Sequence, residues 1–219
     1  RARVKMLQAG DPRLVGVPDY RRCYQPLADE AEALKKVVSE GQYDVLIIDS
    51  LAMAAGGQEL ERADSAIRFN SAIRALNCTS LIVGHTPKPQ EDQKERHLYG
   101  SVFFSNLCRN SWECRREGST IGLYHKKHNL SAKHEDLGFA LTIDQDVCTI
   151  TEASLADDPV LSSNLPLQER LATALRAQPG QTIKELALSL TEKAGSIRAK
   201  LNSYKKRFIS VEGKWECLA

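Results

Sequence analysis

The chain has 219 residues, of which 42% are hydrophobic and 26% charged, and its formal net charge at pH 7 is +2. This length and apolar content are sufficient for one or two domains with hydrophobic cores. The sequence contains neither a recognisable signal peptide nor a long apolar stretch, which argues against a membrane protein and predicts a reducing, cytoplasmic setting.

The first part of the chain alternates helices and strands. Residues Arg1–Gln8 predict a helix that is already under way, without an N-cap, and this indicates a piece of a longer protein. Apolar spacing predicts a helix from Leu27 to Glu40, and four consecutive aliphatic residues within Tyr43–Ser50 predict a strand buried on both faces. A helix over Leu60–Leu76 and a buried strand over Thr79–Gly84 follow. This alternation is typical of βαβ units and predicts an α/β fold with a parallel sheet.

Beyond this point the pattern changes to strands joined by turns. His85–Tyr99 is polar and charged and contains prolines, which predicts a surface loop. Four strands are then predicted, over Leu107–Arg115, Thr120–Lys126, Leu137–Ile143 and Val147–Glu152. Because they are joined by short turns, we expect them to form an antiparallel extension of the parallel sheet.

The last part of the chain predicts a small separate domain. Ala153–Pro166 has the composition of a linker, which divides the chain into residues 1–152, a linker at 153–166, and residues 167–219. The tail predicts helices over Leu167–Ala177 and Ile183–Leu190, a third helix beginning near Thr191 or Ser196, and strands over Phe208–Val211 and Trp215–Leu218. This order is that of a winged-helix-like domain. The tail carries ten Lys and Arg against five Asp and Glu, which is compatible with nucleic-acid contact or with a solvated basic face.

Cysteine and histidine are not arranged as metal ligands. The six cysteines contain no C-x-x-C pair, and no cysteine or carboxylate joins His125, His128 and His134 at zinc-ligand spacing. The sequence therefore argues against a structural zinc site.

Two strand ends carry the strongest chemical signal. Asp49 ends the first aliphatic strand, where open α/β sheets bind ligands, and either orients magnesium beside nucleotide phosphates or caps the following helix. His85 ends the neighbouring strand and either senses a γ-phosphate or serves as a hydrogen-bonded turn residue. The pair is more specific than either residue alone.

Further motifs follow these two in a recognisable order: Asp49-Ser50, His85-Thr-Pro-Lys88, Leu98-Tyr-Gly-Ser101, Arg109 and Lys126-Lys-His-Asn129. Over Arg1–Glu152 the chain resembles the RecA-like AAA ATPases of the hexameric replicative-helicase type, the DnaB-like and plasmid RepA-like group. The resemblance implies a partial RecA-like P-loop NTPase core, in which a parallel sheet has an antiparallel extension, followed by the winged-helix-like tail. It also implies ATP and Mg²⁺ as cofactors, DNA as a partner and a hexamer as the assembly.

The resemblance assigns roles to individual residues. Asp49 corresponds to the Walker B carboxylate and magnesium ligand, with Ser50 beside it in the nucleotide site, and His85 to the switch residue. Lys126, Lys127 and His128 correspond to the hairpin that places a lysine and an arginine finger at the neighbouring subunit's ATP. His128 occupies the position where the arginine finger is expected, so Lys126 or Lys127 would have to replace the arginine in part. The other interpretation of the two lysines is a solvated strand end.

Nucleic-acid contacts are expected in two places. The loop Thr86–Tyr99 corresponds to a channel-facing region that touches single-stranded DNA. In the tail, the third helix is expected to enter a major groove or else to serve protein contact and packing. The cations assigned to these two regions are Lys88, Lys94, Arg96, Arg198, Lys205, Lys206 and Arg207.

Two parts of the family pattern are absent from the 219 residues. These residues contain no G-x-x-x-x-G-K-[ST] phosphate-binding loop, which we expect, together with the water-activating glutamate, in a segment upstream of Arg1. The sequence thus predicts part of an ATP-dependent DNA helicase or remodelling ATPase from a phage, plasmid or mobile element, which is inactive without that segment. A non-catalytic DNA-binding regulator whose α/β domain oligomerises or senses a nucleotide is the alternative. An unrelated α/β enzyme that uses Asp49 and His85 is less well supported, because no nucleophile elbow accompanies them.

Overall fold

The computed structural model describes residues 2–16, 18–57, 59–86 and 98–218, which form a mixed α/β structure. The helices are α1 (Ala2–Gly10), α2 (Ala31–Glu40), α3 (Leu51–Ala54), α4 (Ala63–Ala75), α5 (Val102–Leu107), α6 (Pro159–Ser162), α7 (Leu167–Ala177), α8 (Ile183–Ser189) and α9 (Ala194–Ser203). The strands are β1 (Val45–Asp49), β2 (Thr79–Val83), β3 (Asn110–Glu117), β4 (Thr120–His128), β5 (Leu137–Asp144), β6 (Val147–Glu152), β7 (Phe208–Val211) and β8 (Lys214–Cys217). The chain divides into two compact units, residues 18–111 and residues 1–17 with 112–219.

The unit of residues 18–111 is built on a parallel pair of strands. β1 and β2 run in parallel, with Val45 opposite Thr79 and Asp49 opposite Val83, which confirms the predicted parallel sheet. The buried side of the pair joins a core formed with α2, α4 and α5, in which the rings of Phe69 and Phe104 meet edge to face. These helices come from apolar residues at helical spacing, which face the sheet.

The other side of the parallel pair is exposed. Val45, Ile47 and Leu81 keep 55%, 62% and 57% of their surface open, and Val83 is also exposed. The expectation that both faces are buried is therefore wrong for the described residues. The physical reason is that α2 and α4 contribute their apolar faces to the same core cluster as Ile48, on one side of the strands.

The four strands β3–β6 form an antiparallel sheet of their own, in chain order. They are not hydrogen-bonded to the parallel pair, so the expected extension of that sheet is a separate sheet in the described part of the chain. α1 packs on β6 so closely that a Cβ added to Gly10 would lie 1.9 Å from the carbonyl oxygen of Cys148. Ahead of β3, Val102–Leu107 is helical, so β3 begins three residues later than predicted.

The segment predicted to be a linker is folded in part. Leu155–Asp157 forms a 3-10 turn, and α6 follows it. Leu155 and Leu161 are buried against Tyr124 of β4, whose hydroxyl donates a 2.7 Å hydrogen bond to the carbonyl oxygen of Leu161. These apolar contacts explain why a segment of linker composition is ordered here.

The last three helices and the β7–β8 hairpin surround a separate apolar cluster, which confirms the predicted order of elements in the tail. Thr182 caps α8 in a reciprocal capping box with Glu185, as its sequence predicts. Arg207, just before β7, forms a two-pronged ion pair with Glu169 of α7, with Nη2 2.7 Å from Oε2. The hairpin is thereby joined to the first helix of the tail.

Candidate functional site

Asp49 and Ser50 lie at the carboxyl end of β1. The carboxylate of Asp49 is exposed, and Ser50 is half-buried as the N-cap of α3. The Ser50 side chain makes no capping hydrogen bond to this helix. The capping position is therefore occupied by Ser50 and not by Asp49, which weakens the interpretation of Asp49 as a helix cap.

His85 lies two residues beyond the end of β2. Because Val83 is the register partner of Asp49, the polar groups that follow β1 and β2 share the carboxyl edge of the parallel pair. His85 is exposed, and its carbonyl oxygen accepts a 2.9 Å hydrogen bond from the main-chain nitrogen of Tyr99. This bond joins the main chain of His85 to that of Tyr99.

The donor atoms at this edge fit a magnesium ion in part. A carboxylate and a hydroxyl are hard oxygen donors, and Mg²⁺ in nucleotide sites is held by one or two such groups together with phosphate oxygens and water. Within the described ranges, no group of three or more His, Cys, Asp and Glu is arranged to hold a metal ion by itself. Asp49 and Ser50 supply two oxygen donors, which is fewer than a magnesium ion requires by itself.

Lys126, Lys127 and His128 end β4 and belong to the other compact unit. Lys126 is exposed, whereas Lys127 and His128 are half-buried. Nδ1 of His128 accepts a 2.8 Å hydrogen bond from the main-chain nitrogen of Ser131, which fixes the ring against the turn after the strand. Of these three residues only Lys126 is exposed, but its ammonium group has a partner on the neighbouring strand.

Lys126 is paired with a buried carboxylate that the sequence analysis did not identify. Glu113 on β3 is 8% exposed, and its Oε2 lies 3.0 Å from Nζ of Lys126. Nε of Arg115 donates a 2.7 Å hydrogen bond to Oε1. Burial raises the pKa of the Glu113 carboxyl, but the hydrogen bond from Arg115 and the ion pair with Lys126 outweigh it, so the pKa lies below its usual value. The sequence feature that could have indicated this cluster is strand alternation, which places Glu113 and Arg115 on one face of β3.

A second cluster also went unnoticed in the sequence. Trp112 on β3 stacks on His125 of β4, with ring centroids 4.1 Å apart and planes 1° apart. His134 stacks beside them, 5.5 Å from His125. The spacing of the histidines raises only the question of a metal site, whereas the residue that completes this cluster is Trp112 on the preceding strand.

The predicted nucleic-acid residues fall into three groups. Lys88, Lys94 and Arg96 lie outside the described residues. Arg198 on α9 and the following Lys205 and Lys206 are exposed. Arg207 is half-buried in its ion pair with Glu169, which gives it a structural partner within the tail.

No protein-family model matches the chain, and no curated protein is significantly similar to it. In the described part of the chain, no helix has both the length and the apolar character needed to cross a membrane.

Proposed function

We propose that the chain is part of a RecA-like ATPase of the hexameric replicative-helicase type, with a winged-helix-like tail, that acts on DNA in the replication of a phage, plasmid or mobile element. The observation that supports this most directly is the parallel pairing of β1 with β2. It brings Asp49 and the residues leading to His85 to one carboxyl edge, where open α/β sheets bind ligands.

In this proposal, MgATP supplies the phosphoryl group that is transferred to water. The Asp49 carboxylate and the Ser50 hydroxyl provide oxygen donors on the metal side. His85 offers a hydrogen-bond donor at the same edge of the sheet, and its main chain is tied to Tyr99 at the base of the following loop.

The exposed face of the parallel pair also favours this assignment. Parallel sheets are normally covered on both faces. We therefore expect a further apolar layer to pack on the face that carries Val45, Ile47 and Leu81. In a RecA-like assembly such a layer comes from the rest of the core or from a neighbouring subunit.

The test is hydrolysis of ATP by the complete reading frame that encodes this chain. We expect Asp49→Asn to lower magnesium-dependent turnover by about 100-fold or more, because the amide removes a charged metal ligand. Asp146→Asn, in the exposed β5–β6 turn, is the matched control and should retain full turnover. Equal turnover in the two variants would contradict the proposal.

A non-catalytic DNA-binding regulator remains the second candidate. It is favoured by the absence of G-x-x-x-x-G-K-[ST] from the 219 residues and by the exposed cations Arg198, Lys205 and Lys206. If the complete reading frame also lacks that loop and binds DNA without hydrolysing ATP, this second function replaces the first.

A further inference from the structure

Three nearly parallel rings meet on one face of the β3–β4 hairpin. The Trp112 and His125 rings are stacked, and the plane of His134 lies 20° from that of Trp112 and 19° from that of His125. The main-chain nitrogen of His134 donates a 2.6 Å hydrogen bond to Nδ1 of His125. This bond ties the segment after β4 to the stack, so the rings are held in position before any ligand arrives.

The hydrogen bonds of His125 leave neither of its ring nitrogens open to a metal ion. Its Nδ1 accepts from the main chain of His134, and its Nε2 lies 3.0 Å from the carbonyl oxygen of Lys127. Both ring nitrogens are therefore engaged with the backbone, as is Nδ1 of His128 with Ser131. His125 is itself buried, so the rings of this cluster that a ligand can reach are those of Trp112 and His134.

An open cavity of about 540 Å³ adjoins the stack and is lined by Trp112, His134, Glu135 and Leu137. Its walls are an indole, an imidazole and an aliphatic side chain, with one carboxylate as the polar group. Such walls suit a flat aromatic ligand, because ring faces attract stacked rings. A carboxylate accepts hydrogen bonds but donates none, so the ligand it complements carries N–H groups on its edge.

Two lysines lie close in the chain to residues of this cavity or of the stack beside it. Strand alternation places Lys127 on the same face of β4 as His125, and Lys133 immediately precedes His134. A ligand with a flat ring, N–H donors on its edge and an attached anion would complement the ring faces, the carboxylate and the two lysines. Ring faces combined with nearby lysines are the arrangement that binds the bases and phosphates of single-stranded nucleic acid.

We infer that this cavity is a binding site for a nucleobase, which stacks against Trp112 and His134 and donates hydrogen bonds to Glu135 while its phosphate lies near Lys127 and Lys133. The base comes either from a single-stranded nucleic acid or from a free nucleotide. The site lies wholly in the unit that contains β3–β6, and it does not depend on Asp49 or on ATP hydrolysis.

Trp112 itself reports on the cavity. The chain has two tryptophans, and Trp215→Phe leaves Trp112 as the single indole. Trp215 packs against the separate core of the tail, where phenylalanine is a conservative replacement. We expect the fluorescence of this variant to be quenched on titration with a single-stranded oligonucleotide and unchanged by an abasic oligonucleotide of equal length.

Two further substitutions test the walls of the cavity. In the same background, His134→Ala should weaken quenching by about tenfold, because one stacking surface is lost. His134 is exposed, so this variant should remain folded, and the exposed Asn129→Ala is its control. Glu135→Gln should weaken quenching by bases that present N–H donors, because the charged acceptor is lost, whereas Glu117→Gln, on an exposed site of β3, should not.

The outcomes separate the two sources of the base. If the quenching titration gives a higher affinity for oligonucleotides than for mononucleotides, the site binds single strands. Equal affinity per base assigns the site to free nucleotides. Quenching by the abasic oligonucleotide, absence of quenching by every ligand, or quenching unchanged by His134→Ala would each overturn the inference.

Discussion

Glu113 is the residue whose surroundings allow the most specific prediction of stability. Replacing it with Gln removes the charge that pairs with Arg115 and Lys126 while keeping the shape of the side chain. We expect the free energy of unfolding to fall by about 2 kcal/mol, because hydrogen bonds to a buried charge are among the stronger ones. Urea unfolding at neutral pH measures this, and Glu117→Gln on the same strand should change it by less than about 0.5 kcal/mol.

The same residue carries a pH dependence with a defined sign. The pKa of Glu113 is lower in the folded protein than in the unfolded chain, so its contribution is present at neutral pH. It is lost as the pH falls below the unfolded value of about 4.3 and through the lower folded value. The difference in stability between the protein and Glu113→Gln should therefore shrink over that interval, and a difference that grows on acidification would contradict the ion pairing.

At the scale of elements, the contact of α1 with β6 depends on the lack of a side chain at Gly10. Gly10→Ala would place a methyl group 1.9 Å from a backbone oxygen, and the helix has to move away. We expect a loss of about 1–3 kcal/mol, as for other overpacked sites. Gly195→Ala on α9, where no atom lies within 4 Å, is the control and should be neutral or stabilising by up to about 1 kcal/mol.

The cations of the tail should separate into two classes. Lys205 and Lys206 are exposed, so replacing either by Ala should weaken DNA binding and reduce the slope of log K against log salt by about 0.9 if each contacts a phosphate. Arg207→Ala should instead lower the thermal stability of the tail, because Glu169 loses its partner. Filter binding over a series of salt concentrations, combined with thermal melting, distinguishes the two. Salt-independent binding would exclude phosphate contact for both lysines.

Elements were more predictable from the sequence than contacts between them. The strands ending at Asp49 and Val83 are recognisable because runs of aliphatic residues stand between helical patterns. The pairing of Glu113 with Lys126, and of Trp112 with His125, depends on how β3 lies against β4. That register joins residues more than ten positions apart and depends on the turn between the two strands as well as on the hydrophobic pattern, so the pattern of one strand alone does not specify it.

At the scale of the whole molecule, the sequence lacks the loop that binds phosphates in this class of ATPase. We expect the purified 219-residue chain to show no magnesium-dependent release of phosphate from ATP. The Asp49 carboxylate at the carboxyl edge of the parallel pair cannot hold the triphosphate without a phosphate-binding loop. Release of phosphate is measured with and without Mg²⁺, using Asp49→Asn as the control for a contaminating enzyme. Turnover that is lost in this variant would contradict the prediction.

The uncovered side of the parallel pair, with Val45, Ile47, Leu81 and Val83, also affects how the purified protein behaves. Dyes such as ANS become fluorescent on exposed apolar surface, and their signal is commonly taken as the mark of a molten globule. Here the native protein already presents such a surface, so it should bind the dye while its tertiary packing is intact. Retention on a phenyl resin and precipitation at low concentrations of ammonium sulfate are expected for the same reason.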